Sequence, residues 1–212
     1  VAWLICKLYL GLRFENRRAM RELRREGGFL YGNHTRTLDA FLPAMASFPK
    51  KGYVIANADA VSLPGLKNIV LMLGAIPIPT QFSGMRAFLE TIDLRCRKKE
   101  IITIFPEAHI WPFYTGIRDF PDTSFQYPVK ESRPVVAMVT TYRKRRGLFR
   151  FCKKPGMTVT LSDPFFPDPA LSPAQARKAL RDQVYEFMKE VSAQKENVVY
   201  IRYLPAEMAQ KD

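Results

Sequence analysis

The sequence predicts a single α/β domain with a mixed, mostly parallel central sheet flanked by helices. Short apolar runs of strand length alternate with helical stretches along most of the chain. One run, residues 101–105, is apolar at almost every position, as expected for a strand covered on both faces. The length of 212 residues fits one domain that needs no disulfide for stability, and no repeat or linker divides it.

The predicted elements follow one another with little interruption. A basic helix over residues 14–26 stops at a Gly-Gly pair, because glycine ends helices readily, and a buried strand follows at 29–31. After a polar loop, a helix covers 39–47. Further strands are predicted at 53–56, 75–78, 101–105, 135–141 and 157–161, with helices at 66–73, 83–97 and from 173 to about 195. Residues 106–133 have no helical period and are predicted to be loop.

The N-terminal segment, residues 1–26, is predicted to stand apart from the main domain, residues 27–212. Its first twelve residues are apolar except for Lys7, too few for the roughly 20 that a spanning helix requires. They are interpreted as the stub of a spanning helix or as an interfacial segment, followed by a basic interfacial helix. Because the chain begins at Val1 rather than Met, a segment before Val1 remains possible.

Composition limits the class of protein and of partner. The chain has 33 Lys plus Arg against 20 Asp plus Glu, a net charge of +13, and 47% hydrophobic residues, which excludes a disordered or collagen-like chain. The charge indicates an anionic partner: nucleic acid, an anionic membrane or an acidic substrate. Cys6, Cys96 and Cys152 are far apart and lack metal-ligand spacing, which favours a reducing, cytoplasmic compartment.

Two predicted strand ends carry residues that can do chemistry. His34 ends one buried strand and Asp39 follows five residues later, so the carboxylate can orient the imidazole as a general base. Alternatively, His34 is a satisfied strand-end residue and Asp39 caps the next helix. No Gly-x-Ser-x-Gly elbow indicates a serine hydrolase.

The second strand end is Phe105-Pro106-Glu107. Because α/β sheets place ligand sites at strand ends, His34 and Glu107 are expected to lie in one crevice. A Pro-Glu pair after a strand is also common in simple turns, so this alternative stays open.

These residues, taken together, resemble the glycerolipid acyltransferase family, whose best-known members are the 1-acyl-glycerol-3-phosphate (lysophosphatidic acid) acyltransferases. The first block of that family, Asn-His-x4-Asp, stands here at residues 33–39, and the third, Phe-Pro-Glu-Gly, at 105–108. The second resembles residues 73–80 and the fourth 134–139. The resemblance covers roughly residues 25–165, with all four blocks in order.

The resemblance implies an O-acyltransferase domain at residues 27–212. His34 would take the proton from a substrate hydroxyl as that oxygen attacks an acyl thioester, and Asp39 would orient the imidazole. Glu107 would bind or position the acceptor. Neither a covalent acyl-enzyme, a metal nor a cofactor is implied, and acyl-CoA or acyl-carrier protein would be the co-substrate. The substrate-binding candidates are Asn33, Arg36, Gly74, Thr80, Phe105, Pro106, Glu107, Ala108, His109 and Arg118.

The chain departs from the family pattern at two of these positions. Thr80 stands where the second block usually has an Arg, and Ala108 where the third block has Gly. A lysophospholipid or a related glycerolipid therefore remains open as acceptor. The arginines that can replace the missing cation are Arg36, Arg86 and Arg118, each of which can also be merely structural or solvated. His109 is either a polar group of the acceptor pocket or a loop residue packed by Trp111.

Two basic segments, residues 13–25 and 143–154, suit an anionic bilayer or single-stranded nucleic acid. The four blocks favour the membrane, because the substrates of such an enzyme reside there, and nucleic acid is not expected as a partner. The expected location is the cytoplasmic face of a membrane, peripheral or anchored by a segment before Val1. The alternative is a non-catalytic lipid- or nucleic-acid-binding module that retains the fold.

Overall fold

A seven-stranded sheet forms the centre of the molecule in the computed structural model, which describes residues 11–57, 74–147, 150–194 and 196–204. The strands are β1 (Arg13–Glu15), β2 (Gly28–Gly32), β3 (Gly52–Asn57), β4 (Ala75–Ile78), β5 (Ile101–Ile104), β6 (Val135–Arg143) and β7 (Gly156–Leu161). Their order across the sheet is β1-β7-β6-β2-β5-β3-β4. The β6–β7 pair is antiparallel and the other pairs are parallel. The predicted α/β class with a mixed, mostly parallel sheet is therefore confirmed.

Five α-helices and four 3-10 turns lie between or after the described strands. The helices are α1 (Met20–Glu26), α2 (Leu42–Ser47), α3 (Met85–Arg97), α4 (Gln126–Lys130) and α5 (Pro173–Ser192). The 3-10 turns cover Arg17–Ala19, Thr37–Phe41, Phe82–Gly84 and Thr123–Phe125. Ser172 and Gln175 form a capping box that starts α5. None of the helices in the described ranges has both the length and the apolar character needed to cross a bilayer.

Most predicted elements are found within a few residues of their expected bounds, and β4 matches its prediction. The prediction of a single helix over residues 14–26 is wrong, because β1 and a 3-10 turn precede α1. Asn16 adopts φ 53°, a left-handed conformation that an α-helix cannot include. The region 106–133 contains α4, too short to give a helical period. The helix predicted at 66–73 and the apolar residues 1–10 lie outside the described residues.

Each face of the sheet is covered by its own hydrophobic core. Alternate residues of β2 point to opposite faces, so Phe29 and Tyr31 pack into one core and Leu30 into the other. Helices α3 and α5 cover the first face, and α1 and α2 cover the second. Burial on both faces explains the nearly continuous apolar pattern of β5.

The described part of the N-terminal segment packs within the domain. β1 pairs with β7 through Phe14 and Val159. Met20 and Leu23 of α1 are completely buried in the second core. The boundary set at residue 26 therefore falls between elements that share one core. The apolar side of α1 packs against the sheet, and its exposed side carries Arg21 and Arg25. Arg24 is half-buried and donates to the Ala46 carbonyl.

Candidate active site

His34 and Asp39 lie beyond the C-terminal end of β2, where the chain enters the Thr37–Phe41 turn. Nδ1 of His34 is 3.5 Å from Oδ2 of Asp39, at the outer limit of a hydrogen bond. The Asp39 side chain is fully buried, whereas 17% of the His34 side chain remains exposed. The imidazole can therefore face a carboxylate on one side and a substrate on the other.

The Asp39 carboxylate is held by the loop that precedes it. Oδ2 accepts hydrogen bonds from the backbone N–H groups of Thr35 and Arg36 at 2.7 and 2.8 Å, and from the Thr35 hydroxyl at 3.2 Å. Oδ1 is buried and has no hydrogen-bond partner among the described residues. Asp39 therefore caps the turn and also faces His34, so the two roles considered from the sequence are compatible.

Tyr142 extends this network from the end of β6. Its hydroxyl lies 2.6 Å from Oγ1 of Thr35. Because the Thr35 proton goes to Asp39, Tyr142 must donate to Thr35. Burial, and then the charge of Asp39, raises the pKa of Tyr142, which keeps this donor protonated. Sequence reasoning missed both residues, since nothing in the chain links Thr35 to a tyrosine 107 positions away.

Glu107 is the second polar group of the site, and it reaches His34 because β2 and β5 are neighbours. Its carboxylate accepts the His34 backbone N–H at 3.3 Å, and the Arg118 backbone N–H and Nη2 at 3.0 and 3.1 Å. Burial raises the pKa of Glu107, and the bonds and charge of Arg118 oppose that rise. The sequence analysis expected His34 and Glu107 in one crevice, and the structure brings them together.

The turn after β5 places the other residues of the third block. The Phe105 ring stacks on the His34 imidazole, with centroids 4.5 Å apart and an interplanar angle of 22°. Gly32 makes room for that ring, since a Cβ there would lie 2.9 Å from Cε1 of Phe105. Ala108 adopts φ 62° in this turn. His109 has an exposed side chain, and its backbone carbonyl accepts a hydrogen bond from Arg118.

The loop that follows this turn is hydrogen-bonded to the residues just after β2. The backbone N–H of Trp111 donates to the His34 carbonyl at 3.2 Å, and that of Phe113 donates to the Thr35 carbonyl at 3.1 Å. The Arg118 guanidinium lies 4.9 Å from the centroid of the Trp111 ring. Trp111 therefore packs against Arg118.

Two first-block candidates have structural contacts. Asn33 is 2% exposed, and its amide bonds to the backbone C=O and N–H of Thr140 at 3.0 and 2.7 Å, which ties β2 to β6. The Arg36 guanidinium lies 4.9 Å from the Phe113 ring centroid and donates to Sδ of Met157. Both lie next to the His34–Asp39 pair, but Asn33 has no exposed group to offer a ligand.

The second-block candidates lie elsewhere. Gly74 and Thr80 flank β4, three strands away from β2, and line an open groove of about 640 Å³ beside α3. Gly74 requires glycine, because its φ is +82° and a Cβ would meet the Gly52 carbonyl at 2.7 Å. Arg86 pairs with Glu90 on the exposed side of α3. The structure therefore does not bring these residues together with His34 and Glu107.

The arrangement can support proton transfer at a partly exposed imidazole, next to a buried carboxylate–guanidinium pair. Among the residues that the structure describes, no three His, Cys, Asp or Glu side chains are grouped as metal ligands.

Comparison with known proteins assigns the fold and the family. An acyltransferase family model matches residues 12–158, well over half of the chain. The crystal structure of the 1-acyl-sn-glycerophosphate (LPA) acyltransferase PlsC from Thermotoga maritima is similar, with a TM-score of 0.60 and 19% sequence identity. The match covers 88% of this chain and 75% of that one. No curated protein sequence matches the chain.

The family match extends over the first, second, third and fourth blocks and over the described strands from β1 into β7. The resemblance to the glycerolipid acyltransferases drawn from these blocks is thereby confirmed at the level of the family, and so is the assignment as an enzyme. The chain belongs to the acyltransferase family.

Proposed function

We propose that the protein is a membrane-associated O-acyltransferase that moves a fatty acyl group from acyl-CoA or acyl-carrier protein to a hydroxyl of a lysophospholipid or related glycerolipid. The observation that carries this proposal is the His34–Asp39 pair, with its 3.5 Å separation and its buried carboxylate. The family match supports acyl transfer as the reaction class.

His34 is the proposed general base. With Nδ1 donating to Asp39, the lone pair of Nε2 takes the proton of the acceptor hydroxyl while that oxygen attacks the thioester carbonyl carbon. The resulting tetrahedral intermediate collapses, the C–S bond breaks, and the thiolate leaves with the proton that His34 returns. Asp39 stabilises the imidazolium that forms in between. The long contact between the two side chains is expected to tighten when substrate binds, as is common for catalytic hydrogen bonds.

Arg118 is the proposed contact for an anionic head group of the acceptor. Its side chain is 16% exposed, and its Nε is buried without a partner among the described residues. Glu107 accepts three N–H groups and so serves mainly to fix Arg118 next to His34. Arg118 thereby supplies a cation close to His34, in a chain where Thr80 replaces the usual second-block Arg.

Membrane association at the cytoplasmic face is proposed because the acceptor is a lipid and because the net charge is +13. Basic residues near an anionic surface each contribute about 1 kcal/mol of attraction. Peripheral attachment and anchoring by a segment before Val1 are both compatible with this proposed membrane association.

The test uses a panel of acceptors and two donors. The protein is incubated with labelled acyl-CoA or acyl-carrier protein and with lysophospholipids that differ in head group, and products are identified by mass spectrometry. We expect the parent to form a diacylated product and the Asp39→Asn variant to form the same product far more slowly. Asp93→Asn, which makes the same change at a surface ion pair with Lys130, should keep the parent rate. Liposome or oligonucleotide binding without product from any acceptor would favour the non-catalytic module instead.

A further inference from the structure

A second concave site lies between the two basic segments of the chain. Arg13 and Arg17 from the N-terminal segment and Arg143 from the end of β6 line a pocket of about 440 Å³, together with Phe14 and Met45. The segments meet because β1 pairs with β7, and β7 pairs with β6. Residues far apart in the sequence thus converge on one cavity.

The pocket is strongly cationic. No acidic residue lines it, and no acidic residue of the described chain makes an ion pair with any of the three arginines. Arg17 donates to the Met45 carbonyl, which orients its guanidinium from one wall. The other N–H groups of Arg13 and Arg17 make no hydrogen bond to a described residue, and both side chains are exposed.

Arg143 is the most constrained of the three. Its Nη2 donates to the Gly11 carbonyl, and its Nε is buried with no partner among the described residues. Burial and then the nearby charges of Arg13 and Arg145 lower the pKa of Arg143, against a smaller opposing effect of Glu15. Like charges that line one pocket repel one another, and a bound anion would relieve that repulsion.

The pocket lies at the same edge of the sheet as the candidate active site. β6 runs parallel to β2, and Arg143 is the last residue of β6 while His34 lies just beyond the end of β2, so both are at carboxyl ends of strands. Tyr142, the neighbour of Arg143, contacts Thr35, and Met45 belongs to the helix that follows Asp39. None of the residues of the candidate active site lines the pocket.

We propose that Arg13, Arg17 and Arg143 form a binding pocket for a phosphate ester, adjacent to but separate from the acyl-transfer site. Planar guanidinium groups bind phosphate oxygens through paired hydrogen bonds, and several cations match the double charge of a phosphate monoester. The phosphate has two possible sources, a soluble nucleotide-containing thioester such as acyl-CoA or the head group of an anionic lipid. The inference does not depend on the proposed reaction, because binding is measured without turnover.

The experiment measures binding of the full chain to two probes. Coenzyme A is titrated by calorimetry, and vesicles of phosphatidylcholine with or without phosphatidic acid are tested by co-sedimentation. The double variant Arg13→Gln, Arg17→Gln should weaken binding to at least one probe by about tenfold or more, as expected for lost hydrogen bonds to a charged group. Arg143→Lys, which keeps the charge but loses the planar fork, should weaken it as well.

A double variant at the end of α3, Arg97→Gln with Lys98→Gln, is the matched control, since it removes two exposed charges outside the pocket. Loss of coenzyme A binding alone assigns the pocket to the donor, and loss of binding to phosphatidic acid vesicles alone assigns it to lipid. The proposal is overturned if the parent binds neither probe, if the pocket variants bind both like the parent, or if the control weakens binding equally. Circular dichroism of each variant establishes that it is folded.

Discussion

At the scale of the residue, one carboxylate oxygen determines the orientation of the His34 imidazole. Oδ2 of Asp39 accepts three hydrogen bonds from the Thr35–Arg36 loop and faces Nδ1 of His34. Only one of these donors is a side chain, the Thr35 hydroxyl, and it is itself fixed by Tyr142. The orientation of His34 therefore depends on the Thr35 hydroxyl, which acts through Asp39, and on Tyr142, which acts through Thr35.

Thr35→Val tests this dependence at nearly constant volume. The change removes a hydrogen bond to Asp39 and leaves the Tyr142 hydroxyl without its acceptor, so we expect kcat to fall about tenfold with little change in KM. Steady-state kinetics of acyl transfer measure both constants. Thr160→Val, which removes an exposed hydroxyl on β7, is the control. An unchanged kcat for Thr35→Val would show that the hydroxyl does not support the pair.

At the scale of the element, the turn after β5 is shaped by a conformation that its sequence does not favour. Ala108 has φ 62°, the left-handed region in which a Cβ is disfavoured. The family has Gly at this position, and the structure shows why glycine suits it. The turn nevertheless forms, because Glu107 and the backbone of His109 are both bonded to Arg118.

Ala108→Gly is therefore expected to stabilise the protein. Relief of the left-handed strain, about 1 to 2 kcal/mol, exceeds the entropy that glycine adds to the unfolded chain, leaving a gain of about 0.5 to 1 kcal/mol. Urea denaturation followed by circular dichroism measures the difference. A destabilised variant would mean that the alanine methyl makes packing contacts that outweigh the strain.

Prediction from sequence succeeded for strands whose own run of apolar residues is enough to identify them. β5 was recognisable because all four of its residues are buried. His34 and Glu107 were singled out because each follows such a strand, and Asp39 because it lies five residues after His34 and completes the Asn-His-x4-Asp block. β1 was missed, since it has only three residues, alternates exposed with half-buried positions, and owes its existence to pairing with β7. Tyr142 was missed for the same reason, because its role follows from the β6–β2 register.

At the scale of the whole molecule, the alternation of strands and helices predicted the fold class, but the strand order could not be obtained in this way. The sheet places β2 between β5 and β6, which come much later in the chain. This order brings Glu107 and Tyr142 to opposite sides of His34. It also joins the two basic segments, and it makes the described part of the N-terminal segment, residues 11–26, part of the domain core.

The buried Glu107 also links global stability to pH. Because burial raises its pKa in the folded state above the unfolded value, the folded protein binds this proton more tightly. The stabilisation that this proton gives the folded protein is fully present below the unfolded pKa of Glu107 and is lost as pH rises through its folded pKa. We expect the free energy of unfolding of the parent to fall, relative to that of Glu107→Gln, as pH is raised from 4 through the folded pKa. Parallel pH profiles of the two proteins in urea would contradict this.

The central claim is that His34 is the base in acyl transfer, and the rate of His34→Ala tests it most directly. The variant is compared with the parent under saturating acyl donor and acceptor, after circular dichroism establishes that it is folded. A positioned general base contributes about 10²- to 10⁴-fold to the rate, so we predict a loss of kcat in that range. A folded His34→Ala protein that transfers acyl groups as fast as the parent would contradict the account.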